Sequence, residues 1–218
     1  TYTENVVTNK PDETDWYRIG VPIETRTYEI TGILSQEDVL YKLDAVQDAF
    51  QNAAEIQYEM QPATGVSQKR LIEHIRSLYH KNDLSVPLTL EEVDSLALPY
   101  ESYKLAFTTG LLTEVYGSRV SNTLLQDEGK YLLWDGAWWI PSGRSFHSPD
   151  PANPEPLFAH DHFYLPQGFQ DPFGNIYKTT YDNYDLMVTQ TEDPLGNVAK
   201  AQNNYRTMLP WHITDPND

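Results

Sequence analysis

Cysteine is missing from all 218 residues. Disulfides, thiolate nucleophiles and cysteine-based metal centres are therefore excluded. No apolar run approaches the length of a membrane-spanning helix. No basic segment followed by an apolar one reads as a secretory signal. Basic charge is scarce: 15 Lys and Arg stand against 32 Asp and Glu, giving a formal net charge of −17 and a pI of about 4.6. Phosphate binding needs a basic surface, so nucleic acid is not an expected partner. An anionic membrane surface is disfavoured for the same reason. A starting methionine is lacking too, and the chain is expected to be processed or part of something longer.

Aromatic residues are plentiful. The 15 Tyr and 5 Trp favour β structure, where rings pack well on a pleated surface. Residues 1–20 are polar and read as turn-rich, and "VPIETRTYEIT" (21–31) reads as a strand. "SQEDVLYKLDAVQDAFQNAA" reads as a helix. Ser35 is its expected N-cap, with Glu37 and Asp38 at the positive end of the dipole. Val39, Leu40, Leu43, Val46, Phe50 and Ala53 form its expected core stripe. "EIQYEM" reads as a short strand, and "QKRLIEHIRSLYHKND" fits either a helix or a strand by spacing. A short strand is expected near Tyr103–Phe107. A second helix follows, with Leu111, Leu112, Val115, Tyr116, Val120, Leu124 and Leu125 on one side and Gly117 weakening it. "KYLLWDGAWWIP" reads as a hairpin turning at Asp135-Gly136. The Pro-rich run from Pro141 to Pro156 reads as a boundary or long surface loop.

The C-terminal stretch repeats. Asp171-Pro172 opens DPFGN, Asp193-Pro194 opens DPLGN and Asp215-Pro216 opens DPND, a spacing of 22 residues each time (193 − 171, 215 − 193). Ile176 aligns with Val198, Lys178 with Lys200, Leu186 with Met208 and Met187 with Leu209. A period that holds twice with matched apolar positions marks a structural repeat. Asp-Pro starts a turn, and Gly174 and Gly196 supply the positive φ such turns need. Each unit is then a hairpin, or two strands of a meander, that must lie beside its neighbours to be stable.

"YDNYDLMVTQTEDPLGN" resembles the units of YD/RHS-repeat proteins. "ETRTYEITG" (24–32), "LALPYESYKLAFTTGLL" (96–112), "WWIPSGR" (138–144) and "HFYLPQGFQDPFGN" (162–175) extend the resemblance over most of the chain. Together they are similar to the middle region of the B-type component of bacterial insecticidal toxin complexes, related to virulence-plasmid toxins. The resemblance implies a mainly β (α+β) fold: an antiparallel strip of hairpin repeats with a few short helices, forming part of an RHS-type shell. Residues 1–156 would be the middle region, and 157–218 the start of the repeats. The segment would be secreted and structural, not enzymatic, with no cofactor, helping to encapsulate and deliver a toxic polypeptide. Its partners would be further RHS repeats, the C-type component and, indirectly, the pore-forming A component, without membrane contact of its own. The resemblance also favours a strand over residues 70–79.

Three sites compete with this structural reading. Gly174 and Asp193 bracket an 18-residue interval (175–192), and Asp171 and Asp193 are its candidate carboxylates. A similar spacing accompanies aspartyl self-cleavage in the RHS core, and two carboxylates sharing a proton can divide acid and base roles. The third Asp215 at the same period favours turn punctuation instead. His160 and His162, read as one face of a strand, have a spacing that can hold a metal, but no third ligand is fixed. Trp134, Trp138 and Trp139 could stack on a sugar in a surface or carbohydrate-binding module, whereas core packing is commoner for such residues. Ser142, Ser145 and His147 lack an acidic partner and form no convincing triad.

Overall fold

The computed structural model describes residues 1–33 and 40–217. Ser35, Glu37, Asp38 and Val39, read as the start of the first helix, fall outside the described residues. The rest is mainly antiparallel β structure with short helices. The chain packs as two units, Thr1–Ser77 with Ser102–Pro141, and Leu78–Glu101 with Ser142–Asp218.

In the first unit, β1 (Tyr2–Lys10) pairs antiparallel with β2 (Arg18–Thr31), and β2 with β4 (Gln68–Tyr79). The N-terminal residues expected to be turns thus form a strand. Alternating side chains of β1 are half-buried, and polar cross-strand pairs such as Thr25–Asn5 hold it to β2. The ambiguous segment at 68–79 is a strand, as the resemblance favours. Its register places Arg76 opposite Glu24. The short β3 (Ala54–Ile56) lies parallel to β4. β5 (Pro99–Phe107) extends the strand expected near Tyr103. The hairpin of β6 (Leu132–Trp134) and β7 (Ala137–Phe146) turns at Asp135-Gly136 as expected, with positive φ at both residues.

The helices differ from their expected extents. α1 (Leu43–Asn52) buries Phe50, which stacks on Tyr2 with centroids 4.2 Å apart and meets Tyr28 edge-on. Leu40 and Leu43 are exposed, so the expected stripe is core only towards the helix C-terminus. The second predicted helix is three pieces: α2 (Thr109–Val115), a 3-10 turn at Gly117–Arg119 and a π-helical turn at Leu124–Glu128. Gly117 at φ +56° breaks the α-helical run, and Leu125 is the one fully buried member of the predicted face.

In the second unit, β7 runs on through Phe146, so the segment expected to be a loop from Pro141 is strand for its first six residues. Next comes α3 (Pro156–Asp161), with proline in its first turn, where a fixed φ suits a helix start. β8 (Gly168–Gln170), β9 (Ile176–Tyr181), β10 (Val188–Glu192), β11 (Val198–Asn204) and β12 (Leu209–Thr214) then form an up-and-down antiparallel strip, each strand paired with the next. Each 22-residue repeat is one hairpin.

Candidate functional site

The repeat turns are the first place to look. Asp171 Oδ1 accepts the amides of Phe173 and Asn175, both at 2.9 Å, while Oδ2 accepts Asn175 Nδ2 at 2.8 Å. Asp193 does the same: Oδ1 takes Leu195 and Asn197 amides at 2.9 Å, and Oδ2 takes Asn197 Nδ2 at 2.7 Å. Gly174 and Gly196 close the two turns at φ +88° and +81°. Asp215 begins a third copy by accepting the Asn217 amide at 2.7 Å.

These bonds decide what the carboxylates can do. The Asn175 side chain, joined by turn amides, holds Asp171 below the usual carboxylate range, and Asn197 does so for Asp193. A proton-sharing dyad would push one of the two upward. The turns also lie two strands apart along the strip, about 10 Å at the usual strand spacing, whereas a dyad holds its carboxyls about 3 Å apart. The sequence brings these residues to one end of the strip without bringing them together.

Trp134 and Trp139 belong to a buried ionic knot. Arg76 lies over the rings of Trp134 and Trp139, 4.3 and 4.6 Å from their centroids. Its Nε donates to Glu24 Oε1 at 2.8 Å and its Nη1 to Asp135 Oδ2 at 2.7 Å. Arg26 also donates to Glu24, and His74 Nε2 sits 3.4 Å from the same carboxylate. Burial pushes the Glu24 carboxyl up, but Arg26, His74 and Arg76 outweigh it and hold it below its ordinary value. Burial holds the His74 imidazole below its ordinary value, against the pull of the Glu24 carboxylate. Trp138 and Trp139 are 3% and 2% exposed, and Trp139 Nε1 donates to the Trp134 carbonyl. Those two rings are enclosed, whereas Trp134 is half-buried.

His160 and His162 are not on a strand. His160 lies in α3, and His162 caps its end. The prolyl start and helical chain path replace the two-residue alternation read from "HDHFY". His160 Nδ1 is 3.1 Å from Asp161, while His162 Nδ1 is 3.0 Å from Asp185, so the two imidazoles have separate partners. Among the described residues, no group of three or more His, Asp or Glu is placed to hold a metal.

Sequence reasoning missed a cavity of about 230 Å³ in the second unit, lined by His80, Tyr100, Arg144, Phe146, His147 and Ser148 among others. Both histidines are buried, at 8% and 6% exposure, with ring centroids 5.8 Å apart. Burial and the neighbouring His147 push His80 down to about 4, and burial lowers His147 as well. The two are 67 positions apart (147 − 80), and no local pattern joins them. Ser142 Oγ donates to the Gly143 carbonyl, and His147 Nδ1 lies 2.7 Å from the Tyr164 carbonyl.

The fold so defined is an antiparallel sheet whose C-terminal part is a strip of hairpins punctuated by aspartate-centred turns. It is that of a segment of toxin-complex chains. The chain is similar to the TcdB2-TccC3-Cdc42 crystal structure over 99% of its length, at 16% identity and a TM-score of 0.62. It is similar to TcdB2-TccC3 to the same extent, at 17% identity and 0.62. The pore form of the Photorhabdus luminescens Tc holotoxin matches 98% of it, at 16% identity and 0.62. The chain spans about 10% of the length of these proteins. No protein-family model and no curated protein matches it.

Proposed function

We propose that this chain is a stretch of wall in the shell of a secreted toxin complex, structural in role and without a reaction of its own. The observation that carries the reading is the likeness of nearly the whole chain to one segment of the TcdB2-TccC3 structures, at a TM-score of 0.62. The hairpin strip supports it physically. Successive two-strand units add to a sheet chiefly through backbone bonds, helped by side-chain bonds across repeats such as Tyr205 to Asp182, so a wall grows without each unit needing its own core. In this reading the strip joins further repeats and a C-type component. The closed wall encloses a toxic polypeptide and passes it to a pore-forming partner.

The test is electron microscopy of the complete gene product in which this sequence occurs, co-purified with the component that closes the shell. A hollow particle with residues 171–217 in its wall, and an enclosed polypeptide protected from added protease, is the expected result. A solid particle, or equal digestion of the enclosed polypeptide with and without the shell, would sink the reading.

A further inference from the structure

The cavity at the end of β7 holds buried imidazole nitrogens without a well-formed hydrogen bond. His147 Nδ1 faces the Tyr164 carbonyl at 2.7 Å. A carbonyl only accepts, so Nδ1 carries the ring hydrogen, and Nε2 presents its lone pair. That Nε2 is buried and has no hydrogen-bond partner. Neither nitrogen of His80 makes a well-formed hydrogen bond, although the Ser145 backbone is close by. Leaving such atoms buried and unpaired is costly, so an occupant that takes their lone pairs is favoured.

We propose that His80 and His147 bind a borderline divalent transition-metal ion of the zinc class. A backbone carbonyl that fixes one ring nitrogen and so aims the other is the usual support of a metal-binding histidine. Zinc takes imidazole nitrogen at about 2.0–2.1 Å, and two such rings on a tetrahedral ion have centroids about 5 Å apart. The observed 5.8 Å needs a closure of under about one ångström. Magnesium and calcium are disfavoured because they want several oxygen ligands, and the cavity lining includes no carboxylate. Water, for which the cavity has room, completes the coordination.

Arg144 opposes a cation at this site. Its guanidinium is directed to Gln170 Oε1 and the Tyr100 hydroxyl, both neutral. With two protein ligands and that neighbour, affinity in the micromolar range is expected rather than the far tighter binding of a closed four-ligand site. The proposal is independent of the shell reading.

Titration of the metal-free chain with Zn²⁺ by calorimetry, and with Co²⁺ by visible absorption, tests it. One equivalent should bind, and His147→Gln and His80→Gln should each weaken binding at least tenfold. A His160→Gln, His162→Gln double variant should bind as the unsubstituted chain does. No binding at millimolar Zn²⁺ overturns the proposal, as does binding lost only in the double variant. A high-resolution map of crystals soaked in Zn²⁺ with only water between the two rings also overturns it. Should either single variant fail to fold, Cu²⁺ electron paramagnetic resonance on the unsubstituted chain decides. Coupling to two imidazole nitrogens supports the site, and its absence removes it.

Discussion

The ionic knot of the first unit and the hairpin strip of the second are held together by different means. The knot buries Glu24, His74, Arg76 and Trp139, drawn from three strands, β2, β4 and β7, that are distant in sequence. From Asp171 to Asn217 the strip buries one side chain, Met187, and leaves Leu195, Leu209, Trp211 and Ile213 exposed. Its order comes largely from turn bonds within five residues and from the ladder, with a few side-chain bonds across repeats such as Tyr205 to Asp182. One region is specified by long-range chemistry that no other position can replace. The other is specified locally and can be repeated.

The sharpest way to break the comparison is at Glu24. Glu24→Ala leaves Arg76, 11% exposed, and its neighbours without their shared anion. Removing one partner of a buried pair typically costs about 3–5 kcal/mol. Urea denaturation should show a loss of that size, and hydrogen exchange should speed up across β2 and β4 while the strip's turn amides keep their protection. A loss below 1 kcal/mol would mean that the knot behaves like a surface ion pair.

Acid separates the regions next. In metal-free protein with chelator, unfolded His80 takes a proton near the ordinary 6.5, but the folded one only near 4. The unfolded state therefore binds more protons between those values, and stability falls as pH drops from about 6.5 to about 4. For His80 alone the loss is about 3 kcal/mol. His74 and His147, both lowered, add to it in the same direction. The turn carboxylates Asp171 and Asp193 are held below 3.8, so their contribution is present above that value and fades only at lower pH. Denaturation monitored from pH 7 to pH 3 should show the histidine loss first. A flat profile between pH 6.5 and 4 would contradict this reading.

Legibility in the sequence follows the same division. The strip was readable because its determinants are neighbours: Asp171 and Asn175, or Asp193 and Asn197, lie in one five-residue word. The Asp135-Gly136 hairpin was readable for the same reason. The knot was not, because Glu24 meets Arg76 only through the register of β2 on β4, which no local pattern states. The histidine cavity was hidden similarly, while the adjacent pair His160 and His162 drew attention by spacing alone. The second helix is shorter than its apolar spacing suggests because Gly117, at positive φ, breaks the α-helical run.

A smaller effect comes from the turn glycines. Gly196 has φ +81° and open space where a Cβ would stand. Gly196→Ala therefore suffers backbone strain without a clash, about 1–2 kcal/mol. Gly174→Ala should match it, since the two turns share geometry. The measurement is thermal unfolding of both variants, and unequal losses would show that the repeats are not equivalent.

The smallest expected effect is none. If Asp171 and Asp193 are turn acceptors, the 218-residue chain should stay uncleaved through days of incubation at pH 5 to 8, and so should Asp193→Asn. The reason is geometric. Each carboxylate is satisfied by its own turn, both are held ionised, and two strands stand between them, so neither can lend a proton that the other accepts. A fragment ending near residue 196, abolished by Asp193→Asn, would mean that the turns rearrange into a catalytic pair. The strip would then be a processing site as well as a wall, and its local specification would no longer set it apart from the knot.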